Sequence, residues 1–167
     1  MGKFEAVDKI LTTFFYNLIP HSSSFNFFFK TLAPTGIATF FWIAIFGALV
    51  FFEEKEHKKF LPYFAASLLF AFVFSNLIFK PLFSRQRPTN NSICPKDYSL
   101  PSGHATLSFA AASALAFFDR KRRLYYYSFA TLIAYSRIYL GCHFFFDVLA
   151  GAVLGMAIGK GLKIGQS

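Results

Sequence analysis

Three polar clusters interrupt an otherwise apolar chain of 167 residues, and each carries side chains that phosphate chemistry uses. The first runs from Lys80 to Arg87-Pro88, the second is Pro101-Ser102-Gly103-His104, and the third is Ser136-Arg137 followed by His143 and Asp147. Lys80, Arg87 and Arg137 are three cations, more than a carboxylate needs and suited to a phosphate dianion. Arginine adds planar, bidentate donors and lysine a mobile point charge. Ser102 and Gly103 precede an apolar run that reads as a helix, so their backbone N–H groups and the helix dipole can meet phosphate oxygens. Gly103 also lets the backbone approach closely. His143 and Asp147 are four residues apart, the spacing of a carboxylate–imidazole pair at a helix start. Such a carboxylate fixes the imidazole tautomer and supports the positive charge that His143 acquires on attacking phosphorus. One imidazole cannot be covalent nucleophile and acid in the same step. His104 is therefore the candidate to protonate the departing oxygen and then to activate water. No Cys/His spacing suggests a zinc site, and the chemistry asks for no cofactor.

These clusters can act together only if the elements between them end on one face. Residues 31–52 and 60–79 are free of formal charge, and each is long enough for a helix crossing ~30 Å of hydrocarbon. Three shorter apolar runs follow at residues 104–118, 124–140 and 144–159, and two of them contain a charge, Arg137 and Asp147. Intramembrane charges are costly and mark function or a shielded cavity. All three runs are read as spans, which gives an all-α integral membrane bundle of about five helices over residues 31–159. The second span then ends, the third begins, the fourth ends and the fifth begins on the same side of the bilayer. Shifting the span count by one between clusters would separate them by the membrane.

Composition supports that architecture. With 55% hydrophobic and 21% aromatic residues, a water-soluble domain of this size could not hide its apolar surface. Disorder fails for the same reason. Residues 1–167 are read as a single domain. The 17 basic residues against 8 acidic ones point to anionic lipid and polyanionic substrates, and no arginine-rich arm suggests nucleic acid. Phe4, Val7, Leu11, Phe14 and Leu18 recur at helical spacing, so residues 1–24 suit an amphipathic helix lying on the membrane surface. Pro20 and the stretch 21–24 are expected to break it. Nine Lys or Arg fall on one side of the spans and eight on the other, of which three are the proposed phosphate ligands. The compact Arg120-Lys121-Arg122-Arg123 turn favours the cytoplasm for its side, which turns the polar clusters outward.

Lys-x6-Arg-Pro, Pro-Ser-Gly-His and Ser-Arg-x5-His-x3-Asp together resemble the type 2 phosphatidic acid phosphatase (PAP2) family of membrane lipid phosphatases. The resemblance covers Lys80 to Asp147, and all the defining positions match. It implies a metal-independent, two-step hydrolysis with His143 as nucleophile, Asp147 as its partner and His104 as general acid. It also implies Lys80, Arg87, Ser102, Gly103 and Arg137 as the phosphate pocket. Family members often have six spans, and here the surface helix stands in place of the first. The site of bacterial envelope members usually faces the periplasm, so the resemblance implies a multi-pass protein of the bacterial inner membrane with that orientation. Its partner is a phosphorylated lipid in the bilayer, with no obligate protein partner. The small size is similar to that of lipid A 1-phosphatases, so lipid A 1-phosphate leads the substrates. Undecaprenyl diphosphate, phosphatidylglycerol phosphate and phosphatidic acid remain alternatives. Two other classes compete, a vanadium haloperoxidase-like oxidase and a lipid-binding protein without catalysis.

Plainer roles exist for several of these residues. Arg85 lies off the motif and reads as an interfacial anchor that snorkels from a helix end, a role also open to Lys80. Gly151, Gly155 and Gly159 form small-xxx-small steps that favour close packing inside the bundle. Tyr125–Tyr127 reads as an interfacial aromatic belt. Cys94 and Cys142 fall on the active-site face, where a disulfide is chemically possible. Two cysteines are not a framework, however, and are read first as free thiols.

Overall fold

The computed structural model describes residues 2–32, 44, 60–89 and 94–161, and every regular element among them is helical. Helix α1 spans Lys3–Tyr16 and α2 spans Ser23–Leu32. Helix α3, Phe60–Phe72, continues through a π-helical stretch, Val73–Phe79, into a short α4 at Lys80–Phe83. Three further helices follow, α5 at Gly103–Phe118, α6 at Arg123–Tyr139 and α7 at Phe145–Gly161. The run expected to span at residues 31–52 falls mostly outside the described residues, as do the loop 53–59 and the tail 162–167.

Helix α5 is the centre of the bundle, and its side-chain sizes explain why. Ala105, Ala110, Ala111, Ala112 and Ala114 are fully buried, so three neighbours, α3, α6 and α7, can close on it. The α5–α7 contact is the most extensive, and the glycine series makes it possible. A Cβ built on Gly155 would lie 2.3 Å from the Thr106 carbonyl oxygen, and one on Gly151 would lie 2.6 Å from that of Ser102. The glycines therefore serve packing inside the bundle, where bare backbone lets two helices meet. At the far end, Tyr63 of α3 donates its hydroxyl to the Gly159 carbonyl and ties α3 to α7.

Among the described residues, only the continuous Phe60–Phe83 helix is long and apolar enough by itself to cross a membrane. Helices α5, α6 and α7 have 16 or 17 residues, short of the ~20 that a bilayer core requires. An all-helical bundle is thus what the structure carries of the five-span expectation.

The N-terminal segment differs from the reading in two ways. Helix α1 does turn an apolar face outward, with Phe4, Val7, Ile10 and Phe14 exposed, as an interfacial helix should. Its opposite face is not simply solvated, because Asp8 is completely buried against α7. The expected break at 21–24 is shorter, since Ser22 starts a new helix by accepting a hydrogen bond from the Phe25 N–H at 3.4 Å. The capping serine thus lies inside the expected break. Helix α2 then packs on α6, where Phe29 and Leu32 bury Tyr139 and Asn26 accepts the Tyr139 hydroxyl at 2.8 Å.

Candidate active site

The three polar clusters converge at one end of the bundle. Lys80 opens α4 directly after the π-helical stretch. Such wide turns shift side-chain register and occur often at functional sites. Here Asn76 accepts the Lys80 ammonium at 2.8 Å and holds it inward. A Cβ on Gly103 would lie 3.0 Å from the same Asn76 side chain, so this glycine leaves room for the Lys80 brace. Ser84 then takes a left-handed backbone conformation, φ 47°, which ends α4 and turns the chain into the Arg85–Arg87 segment.

Arg137 is fully buried in the last turn of α6. Gly141, with φ 70°, reverses the chain so that the Cys142 and His143 N–H groups both bond the Arg137 carbonyl, at 3.0 and 3.2 Å. A side chain would be strained at that φ. The reversal buries His143 and delivers Asp147 to the first turn of α7. His104 lies in the first turn of α5, buried next to Gly103. The α5 and α7 starts are joined where the Ser102 N–H donates to the Asp147 carbonyl at 2.9 Å. That bond corrects the expected use of Ser102. Its backbone N–H is occupied, whereas its hydroxyl is buried without a hydrogen-bond partner among the described residues. Ser102 thus offers a hydroxyl, and backbone donation at the helix start falls to the residues after it.

The state of His143 follows from its neighbours. Arg87 Nη1 lies 2.8 Å from His143 Nε2 and 2.9 Å from the Cys142 carbonyl oxygen. A guanidinium can only donate, so Nε2 accepts, and the ring proton of the neutral tautomer sits on Nδ1. Nδ1 faces Asp147 Oδ2 at 3.7 Å, a longer approach than a hydrogen bond. Burial lowers the His143 pKa well below its usual value, and the Arg87, Arg137 and Lys80 charges push it the same way. Near neutral pH the imidazole is uncharged, with its Nε2 lone pair aimed into the cationic pocket.

The structure adds Asp97 to this site and changes the roles of Arg85 and the two cysteines. Asp97 bridges Lys80 and Arg87 at 2.5 Å each. Burial raises its pKa, but hydrogen bonds and charge from those two cations outweigh it and hold the carboxyl below its usual range. One acidic residue between two basic motifs was the signal, and nothing local distinguished it from a solvated loop residue. Arg85, read as an anchor, instead ion-pairs with Asp147 at 2.6 Å and with Asp8 of α1 at 2.5 Å. Finally, Cys94 and Cys142 form a disulfide, which overturns the free-thiol reading. It ties the loop after Arg87 to the residue beside His143.

The PAP2 superfamily model matches residues 60–165, which include every one of these motifs. The chain belongs to the PAP2 superfamily. As a PAP2 member it is a phosphatase. It is 29% identical over 168 residues to a lipid A 4′-phosphatase of Bacteroides thetaiotaomicron, covering 89% of this chain and 72% of the relative. The fold is similar to that of Aquifex aeolicus LpxE, with TM-score 0.75, 23% identity and 95% of each chain covered. It is also similar to a transmembrane PAP2 type phosphatidylglycerolphosphate phosphatase from Bacillus subtilis, with TM-score 0.67 and 22% identity. That match covers 100% of this chain and 89% of the neighbour.

Proposed function

We propose that this PAP2 protein removes a phosphate monoester from an envelope lipid through a phosphohistidine on His143. The observation that carries the reading is the buried His143 ring, whose Nε2 lies 2.8 Å from Arg87 Nη1 beside the buried Lys80 and Arg137. A substrate phosphate enters between Nε2 and the guanidinium, so Arg87 exchanges its bond to nitrogen for bonds to phosphate oxygens. Lys80, Arg87 and Arg137 take up the charge of the trigonal-bipyramidal state, helped by the Ser102 hydroxyl and the Gly103 backbone at the α5 start. Nε2 attacks phosphorus, the bond to the lipid oxygen breaks, and His104 protonates that oxygen. Asp147 supports the cationic ring through Nδ1–H. His104 then deprotonates a water that attacks the phosphohistidine and releases inorganic phosphate.

A lipid substrate is supported by a groove of about 570 Å3 beside the site, walled by Phe4, Phe83, Phe146 and Val153. Arg85 and Leu100-Pro101 also line it, so the groove borders the residues that lead into Ser102. An acyl chain fits this lining, with the phosphate reaching the cations beyond. The disulfide on the active-site face supports an oxidising compartment, and hence a multi-pass protein of the inner membrane whose site faces the periplasm.

Lipid A 1-phosphate, the substrate that the motif resemblance puts first, is the leading reading. The 4′-phosphate of the same lipid is the second reading, favoured by the name of the Bacteroides relative. Purified protein in EDTA, given bis-phosphorylated lipid A, undecaprenyl diphosphate, phosphatidylglycerol phosphate and phosphatidic acid, tests both readings. Phosphate release is expected to be fastest from lipid A, and mass spectrometry of the product locates the position lost. No release from any of the four lipids would overturn the proposal.

A further inference from the structure

Asp8 is the anomaly of the N-terminal helix, a fully buried carboxylate on an element whose apolar face points outward. Burying a charge is expensive unless it is paired and hydrogen-bonded, and Asp8 is both. Its Oδ2 accepts Arg85 Nη2 at 2.5 Å, and its Oδ1 accepts the Phe146 N–H at 3.0 Å. The other arm of Arg85, Nη1, donates to Asp147 Oδ1 at 2.6 Å. Asp147 Oδ2 in turn accepts the Phe144 N–H at 2.9 Å and faces His143 Nδ1. The guanidinium is also held over the Phe144 ring, 4.2 Å from its centroid. Thr12, one turn along α1, accepts the Phe145 N–H at 2.9 Å and completes the docking of this helix onto the α7 start.

We propose that Asp8 is a positioning residue for the phosphatase reaction, acting through Arg85 on the orientation and charge of Asp147. The inference rests on the phosphohistidine reading and follows from charge balance. Arg85 alone would neutralise Asp147, leaving His143 no net negative partner as its ring becomes cationic among Arg87, Arg137 and Lys80. Asp8 occupies the second arm of the same guanidinium, so the Asp8–Arg85–Asp147 group keeps one negative charge. That charge faces the imidazole. The plane of the Asp147 carboxylate is also fixed, since Oδ1 accepts from Arg85 and Oδ2 from the Phe144 N–H.

The test uses the full-length protein in detergent. Asp8→Asn is isosteric and keeps an acceptor for the Phe146 N–H while deleting the charge. Removing a negative charge disfavours the imidazolium, so the His143 pKa, read by NMR of the histidine rings, is expected to fall by at least about 0.5 pH unit. The kcat is expected to fall about tenfold or more with KM within about twofold, for the lipid and for a soluble activated aryl phosphate alike. Thr12→Val removes a docking bond from the same helix without touching charge. It should lower the melting temperature while leaving the His143 titration and the turnover of the folded enzyme unchanged. An unchanged His143 titration in Asp8→Asn would overturn the inference. So would a loss confined to the lipid substrate, which would make α1 a lipid-contacting helix only. Should the wild-type protein hydrolyse neither substrate, the phosphatase mechanism fails separately, and the titration still decides whether Asp8 acts on His143.

Discussion

The two histidines differ in what their removal should do. On the proposed mechanism, loss of His143 removes the covalent step, so His143→Ala is expected to abolish phosphate release while the melting temperature stays within a few degrees of wild type. Residual turnover above about 1% would contradict the assigned nucleophile. The proposed mechanism has His104 act on the departing oxygen, so His104→Ala should slow a lipid substrate far more than an activated aryl phosphate, whose leaving group needs no proton. Equal losses on both substrates would remove the general-acid role. The lowered His143 pKa also has a sign that can be checked. Burial and the surrounding cations keep the ring neutral, outweighing a hydrogen bond with the Ser99 backbone that favours the charged form, so the nucleophile is lost as pH falls through a value below the ordinary ~6.5. The acid limb of kcat/KM should therefore lie below pH ~6.5. Between that limb and ~6.5 the unfolded chain binds more protons than the folded one, so stability declines as pH drops through the same window. An acid limb above neutrality would contradict this account.

At the scale of helices, the site depends on how closely α5 and α7 meet. Ser102, Gly103 and His104 start one, Asp147 starts the other, and the Ser102 N–H bond to the Asp147 carbonyl holds the two starts together. Gly155 sits about two turns along α7 from that junction, where a methyl group would overlap the Thr106 carbonyl oxygen at 2.3 Å. Backbone cannot yield as a side-chain tip can, so Gly155→Ala should destabilise the protein by about 1–3 kcal/mol. Thermal unfolding in detergent measures that loss. Activity is expected to fall with it, because separating the helices pulls the α5 start from Asp147. A variant as stable and active as wild type would show that the two helices can part without consequence. The glycine spacing made close packing legible in the sequence. The choice of α5 as partner was not, because it depends on the alanines of a helix elsewhere in the chain.

For the molecule as a whole, the disulfide closes a loop of 48 residues between the cationic segment and the His143 turn. In the chain-entropy account, closing a loop of that length is worth about 4 kcal/mol. Alkylation of the denatured protein without reductant should label no cysteine, and labelling after reduction should reach both. Paired Cys94→Ser and Cys142→Ser substitutions should lower the melting temperature. Two alkylated thiols in the unreduced protein would contradict the pairing and remove a support for the outward orientation.

The candidate constellation was readable from the chain because its residue types and spacings are local. Lys80, Arg87, Ser102, Gly103, His104, Arg137, His143 and Asp147 lie in short runs whose spacing is meaningful, and the parity of the apolar segments places those runs on one face. Residue type and helical period are properties of neighbours in sequence. The roles of Asp8, Arg85, Asp97 and the two cysteines are properties of neighbours in space. Arg85 beside Arg87 looks like a membrane anchor until α1 brings Asp8 to it, and Cys94 looks free until the Gly141 reversal brings Cys142 within bonding reach. Which carboxylate shares which guanidinium is set by the docking of α1 on α7, and no local pattern encodes that contact. Sequence alone thus determined the candidate reacting groups and the face they share, while the tertiary structure decided the charges and braces that stand behind them.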